Sequence, residues 1–262
     1  MQFEVYAEHD AIDHLTRSVK DLADYLAKAT SAAVSVHDPP EDDTAQGLWI
    51  GRTAAASKFS ERISGLALDG YLLWGNGSQL VICGRTPYGT ANGIYSFLQR
   101  YLGVRWFLPG PLFEFVPNLK EFRLPMVEEV SNPSFSWRMY SGVPGEQGVD
   151  WSRRNLLQFR RPDLPFASFG HNLSNIFHPS EFARDHPEVY CLMDGRRVTD
   201  QSDRRGQPCF SNPLTAQIAA DKARSHFDSN PAASSFSLSV NDNMDFCQCG
   251  ECARFGVRTF RG

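Results

Sequence analysis

Several things are missing from this chain of 262 residues, and each absence removes a class of function. No run of about 18 apolar residues occurs, which a membrane-crossing helix needs. The start, MQFEVYAEHDAIDHL, has neither the basic opening nor the apolar stretch of an export signal. The sequence as written therefore predicts a cytoplasmic protein, or a secreted or periplasmic one if further residues precede Met1. Charge is nearly balanced, with 26 Lys and Arg against 30 Asp and Glu, so neither nucleic acid nor a membrane surface is an expected partner. Gly-Lys-Ser/Thr is absent, and the glycines of GRTPYGTANGIYSFLQRYLGVRWFLPG match neither the dinucleotide fingerprint nor the phosphate loop. They are expected to let a helix pack closely on a sheet. There is no repeat of 20 to 50 residues and no low-complexity tract. Six cysteines are too few for a disulfide scaffold, yet three of them crowd into NDNMDFCQCGECARFG, Asn241 to Gly256.

What is present alternates strand and helix. FEVYAE has the period of a strand, and Ile12, Leu15, Val19, Leu22 and Leu26 follow at helical spacing. AVSVH and LWIG read as short apolar strands around a solvated loop, DPPEDD. GYLLW and QLVIC flank Gly75-Asn76-Gly77-Ser78, a hairpin signal, because Gly and Asn accept the positive φ of tight turns. Thr86 caps a predicted helix with Pro87 at its first position and Gly103 beyond its end, and VRWFLP reads as the next strand. A proline-flanked connector over 117–133 suggests a domain boundary. After it, FSWRMY reads as a strand, VDWSRRNLLQF as a helix, DLPFASFGHN as a strand or loop ending in His171, and PSEFARDHPEVYCLMDGRR as a short helix and strand. NPLTAQIAADKARSHF reads as a helix opened by Asn212 and Pro213, and SSFSLSV as a strand running into Asn241. This alternation predicts an α/β fold with a parallel sheet and outer helices.

In such folds ligands gather at the carboxyl ends of strands. Arg138, His171, Asn241 and Asp242 are predicted there, and an arginine with a carboxylate can hold the vicinal hydroxyls of a sugar. Trp137 and Trp151 can supply an apolar face for its ring, and Arg154 and Asn155 in WSRRN complete the candidate substrate contacts. Each has a structural alternative. Arg138 can pair with a carboxylate, His171 can be a hydrogen-bonded structural residue, Asn241 and Asp242 can cap a helix, and WSRRN can be a solvated face. For Cys247, Cys249 and Cys252, three readings stay open. One is a structural zinc site with Cys209 or Cys191 as fourth ligand, one a disulfide to Cys209 in an oxidising compartment, and one buried packing. All three brace the loop that carries Asn241 and Asp242.

RTPYGTANGIYSFLQRYLGVRWFLPG resembles the segment that closes the small α/β domain before the barrel in glycoside hydrolase family 20 hexosaminidases and in α-glucuronidases. WSRRNLL, FGHN, HPEVYCLMDGRR, CFSNP and LSVNDNMDFCQCGECA resemble the bacterial family called domain of unknown function 4838. The resemblance implies a hexosaminidase-like domain over 1–125. It further implies the first half of a (β/α)8 (TIM) barrel over 131–262, acting on carbohydrate as a glycoside hydrolase. No cofactor would be needed for turnover. Arg138 corresponds by position to the family-20 arginine that holds sugar hydroxyls. The acid catalyst of family-20 barrels follows the fourth barrel strand, and no Asp-Glu pair occurs in this sequence. Ser131–Gly262 supplies little more than half of the roughly 250 residues that a typical barrel uses. The expectation is thus a truncated enzyme with Asp242 as its one candidate catalytic carboxyl, or a barrel completed by another chain. A non-catalytic carbohydrate-binding protein and a zinc-braced interaction protein remain as alternatives.

Overall fold

The computed structural model describes residues 2–8, 13–140, 142–143, 145–158, 170–200 and 206–255. Contacts divide the chain into two compact units, Met1–Arg161 and Pro162–Gly262.

The first unit is built on a sheet of six strands. β1 (Gln2–Ala7) is followed by α1 (Asp13–Thr30), β2 (Ala33–His37) and β3 (Gly47–Ile50). Two short helices, α2 (Ala54–Ser57) and α3 (Ser60–Ser64), lead to the hairpin β4 (Tyr71–Asn76) and β5 (Gln79–Gly84), and then to α4 (Pro87–Arg100). The strand order is β2-β1-β3-β5-β4-β8, where β8 is Met126–Ser131. β2, β1, β3 and β5 run parallel, and β4 and β8 run antiparallel. GLWI and QLVICG are buried along their whole length because both faces of the sheet are covered. Leu48, Ile50, Leu80 and Ile82 meet α1 and α4 on one face, while Trp49, Val81 and Cys83 meet α2 and α3 on the other. Of the predicted stripe of α1, Leu15, Val19, Leu22 and Leu26 lie in the core, and Ile12 lies outside the described residues. Thr86 caps α4 as expected, its Oγ1 accepting from Gly89 N, with Pro87 in the first turn. Small residues are needed in α4 because the helix lies hard on the sheet. A Cβ on Gly89 would stand 2.3 Å from the Gly70 carbonyl oxygen.

β1 and β3 are neighbours whose connections leave in opposite directions, the place where open α/β sheets commonly take a ligand. Here Glu8 occupies it. Its backbone N–H donates to Ile50 O, its Oε2 accepts from Arg52 N at 2.9 Å, and a Cβ on Gly51 would strike its Oε1.

Several local expectations are corrected. VRWFLP supplies only β6 (Arg105–Trp106), paired with β7 (Glu114–Phe115). The stretch expected as a connector contains β8, which pairs with β4 over its whole length, so the compact unit continues past it. FSWRMY is not a strand. Gln158 takes the place of a neighbouring strand there: its N–H donates to Arg138 O at 2.8 Å, and its Oε1 accepts from Arg138 N at 2.9 Å. The helix expected over VDWSRRNLLQF is α5 (Gly145–Arg154), which stops as Leu156 turns to φ 60°.

The second unit carries α6 (Leu173–Ile176), α7 (Pro179–Phe182), a hairpin of β9 (Leu192–Met193) and β10 (Arg196–Arg197), α8 (Pro213–Ser229) and α9 (Gly250–Arg254). Asp194 at φ 49° and Gly195 at φ 80° make the β9–β10 turn. Asn212 caps α8 through its side chain, with Pro213 first in the helix, as the sequence predicts. SSFSLSV forms no continuous strand; Ser239 makes a single parallel bridge to His171. One apolar cluster joins Leu173, Ile176, Phe177, Val189, Tyr190 and Ile218, and a second consists of Cys191, Val198, Cys209, Cys247 and Cys252. Most of DLPFASFGHN lies outside the described residues. The chain as a whole is mixed α/β, with a largely parallel sheet.

Candidate functional site

The crowded cysteines come together with a fourth. The sulfur atoms of Cys209, Cys247, Cys249 and Cys252 all lie within 4.8 Å of one another. Cys209 Sγ is 3.7 Å from Cys249 Sγ and 3.9 Å from Cys252 Sγ. A disulfide would require about 2.0 Å. A tetrahedral zinc ion with Zn–S bonds of about 2.3 Å sets sulfur edges near 3.8 Å; the two edges at 3.7 and 3.9 Å match it, and the four thiols are close enough together to hold one ion. Their surroundings fit that use. Leu192 N donates to Cys247 Sγ at 3.2 Å and Cys252 N to Cys249 Sγ at 3.5 Å, bonds that favour sulfur carrying negative charge. The Arg197 guanidinium donates to Tyr190 O and reaches within 3.9 Å of Cys247 Sγ. The Ser211 hydroxyl, 3.4 Å from Cys249 Sγ, holds that thiol down to about 6, while burial pushes Cys247 up to about 12. Cys191, the alternative fourth ligand, is buried beside the cluster and outside it.

The loop in front of the cluster is held from the same side. Gln207, 1 % exposed, donates through Nε2 to Asn241 O and Asn243 O and accepts from Asn241 N at Oε1; its own N–H donates to Asp245 O. Two residues further along the chain stands Cys209. Asn241 does cap a helix, although not the next one: its Oδ1 accepts from Ser174 N in the first turn of α6, and its Nδ2 donates to Gly206 O. His171 Nδ1 bonds Val240 O at 2.5 Å, and its Nε2 lies 3.9 Å from Asp242 Oδ2. The two side chains are 54 % and 91 % exposed, which leaves them open to a ligand. Asn241, but neither His171 nor Asp242, lines a cavity of about 180 Å3 together with Ser174, His178, Tyr190, Asp200 and Gln207. The structure thus brings His171 against the segment that carries Asn241 and Asp242, and Gln207 ties that segment to the chain that holds Cys209.

Arg138, Trp151, Arg154 and Asn155 belong to the first unit, where each has structural partners. Arg138 donates to Asp69 Oδ2 at 2.6 Å, Leu156 O and Phe135 O, and Gln158 Nε2 donates to the same Asp69 oxygen. Arg154 grips both Asp21 oxygens at 3.0 Å. Trp151 Nε1 and Asn155 Nδ2 both donate to Trp106 O. Trp137 also has a partner within the fold. Sequence reasoning missed Gln207, Ser211 and Arg197. The glutamine that opens QPCFSNP belongs to no motif, because its importance comes from a loop 34 residues away in the chain.

Residues 108–257 match the sequence model of the family described as Domain of unknown function (DUF4838). The chain belongs to that family. None of the curated proteins compared with it matches. Among solved structures, a family GH115 4-O-methyl-α-glucuronidase with specificity for decorated arabinogalactans is similar at 22 % identity and TM-score 0.36, over 52 % of this chain and 18 % of that one. A Streptomyces plicatus N-acetyl-β-hexosaminidase is similar at 18 % identity and TM-score 0.34, over 52 % and 23 %. A GH138 enzyme targeting pectin rhamnogalacturonan II is similar at 12 % identity and TM-score 0.29, over 38 % and 13 %. The family chain therefore spans less than a quarter of the length of these three. No helix among the described residues is long and apolar enough to cross a membrane.

Proposed function

We propose that this chain is the sugar-contacting part of a glycoside-hydrolase-type protein, in which a tetrathiolate zinc centre fixes the loop that presents Asn241 and Asp242 beside His171. The observation that carries the reading is the mutual approach of four thiols directly behind that loop, with Gln207 tying the loop to the strand of chain that holds Cys209. Four thiolates in a closed, mostly buried shell suit zinc, which needs no open coordination position when its role is structural. Zinc here would supply folding energy and hold the loop, and would take no part in turnover. The sugar side of the reading is supported by the family motifs in the sequence, by the exposed imidazole of His171 and carboxylate of Asp242, and by the cavity that Asn241 lines.

Turnover of a glycosidic bond uses two carboxyl groups. Asp242 is the one this reading supplies, and further β/α units or an associated chain would bring the second. A general acid works from a sheltered position that favours its protonated form, whereas the Asp242 side chain is 91 % exposed. That exposure favours sugar binding over proton donation as the part played by Asp242. The test combines metal analysis with saturation-transfer NMR against a panel of neutral and acidic oligosaccharides, using wild type, His171→Ala and Asp242→Asn. Stoichiometric zinc and a glycan signal that both substitutions weaken are expected. Binding indifferent to both substitutions would remove the proposal.

A further inference from the structure

A second concave site lies wholly within the first unit, between α1, the 106–114 segment and α5. Its volume is about 300 Å3, at the small end of ligand pockets and suited to one sugar ring. Its walls are aromatic and fixed. Trp106 stands edge-on to Tyr25 and Tyr95 at 5.2 and 5.7 Å, and Trp151 closes the other side. Both indole N–H groups are already used, Trp106 Nε1 on Tyr25 Oη and Trp151 Nε1 on Trp106 O, so the rings offer the cleft carbon surface. The charges on its walls mostly cancel. Arg154 is locked on Asp21, Arg153 and Arg17 face Asp150, and Lys28 lies 3.6 Å from Glu114. Asp24 and Gln147 line the cleft, and no side-chain hydrogen bond or ion pair joins either to another described residue.

Aromatic carbon beside an open carboxylate and an open carboxamide is the chemistry that grips a sugar: C–H faces meet the rings, and hydroxyls meet planar acceptors and donors. We infer that this cleft is a saccharide subsite for a neutral or amine-bearing hexose unit and that it excludes uronates, because the one carboxylate left without a cation, Asp24, repels them. The inference rests on the carbohydrate reading given above and concerns a different place on the chain.

Titration calorimetry with tetramers of N-acetylglucosamine, glucosamine and galacturonic acid tests it, using wild type, Gln147→Ala, Asp24→Asn and Asp242→Asn. Gln147→Ala and Asp24→Asn alter open side chains, so folding is expected to survive, and circular dichroism checks it. Gln147→Ala should weaken the neutral and amino tetramers about two- to tenfold, the worth of one hydrogen bond. Asp24→Asn should erase any preference for the amino tetramer. Binding that the two cleft variants leave unchanged while Asp242→Asn abolishes it overturns this subsite and leaves the second-unit site standing. Galacturonate binding as tight as that of the other two also overturns it. Absence of binding by any tetramer defeats both readings together.

Discussion

Replacing Cys252 with serine removes one corner of the thiol tetrahedron while leaving a side chain of nearly the same size. Cys252 is 3 % exposed and its sulfur lies 3.9 Å from Cys209 Sγ; a serine hydroxyl, shorter and still protonated at neutral pH, would replace it as a far poorer ligand for the proposed ion. The centre joins segments about 40 residues apart, and the second unit spans Pro162–Gly262. An ion held at a free concentration about 100 times its dissociation constant stabilises by about 2.7 kcal/mol. For a unit of this size each kcal/mol moves Tm by about 4–8 °C. Loss of the ion should therefore lower the melting of the second unit by roughly 10–20 °C. The assay is differential scanning calorimetry of wild type with and without a zinc chelator, alongside Cys252→Ser and elemental analysis. Chelated wild type and the variant should melt together, well below the zinc-loaded protein. Purified wild type with negligible zinc, melting at the same temperature in chelator, would refute the reasoning.

Three other outcomes follow from contacts already described. Asp69→Ala strips the partner from the Arg138 guanidinium and from Gln158 at a site where Asp69 is 5 % exposed. It should cost about 3–5 kcal/mol in urea unfolding, and a cost under 1 kcal/mol would show that the knot is not structural. Gly89→Ala drives a Cβ to 2.3 Å from Gly70 O, backbone against backbone. It should destabilise the first unit by about 1–3 kcal/mol, measured by the same denaturation. In zinc-stripped protein Cys249 should be the first thiol alkylated, because its depressed value of about 6 leaves it as thiolate at neutral pH. Its rate should fall as pH drops through 6, while Cys83, pushed up to about 12 by burial, stays inert in the folded state. Peptide mapping after brief iodoacetamide treatment reads both.

The first unit was largely legible because its signals are local. Apolar spacing marks α1, Gly77 at φ 88° turns the β4–β5 hairpin, and Thr86-Pro87 starts α4. β8 was hidden because MVEEVS has two glutamates and one exposed valine, and only its long-range pairing with β4 makes it a strand. FSWRMY misled for the opposite reason: its residues suit a strand, but a glutamine 20 positions along the chain satisfies its backbone instead. At the candidate site the thiols were visible as a motif, and Cys209 was nameable from composition. The structural partners of Arg138 and Arg154 could not be read, since Asp69 and Asp21 lie 69 and 133 residues from them and carry no pattern.

Glu8 gives the first unit a character of its own. Where related architectures hold a guest anion at the parting of two central strands, this polypeptide has inserted a carboxylate from its own backbone neighbour and bolted it to the amide of Arg52. The doorway is occupied by a permanent resident. Any small molecule drawn to that parting would meet this carboxylate first, which would favour a cation or a hydrogen-bond donor over an anion.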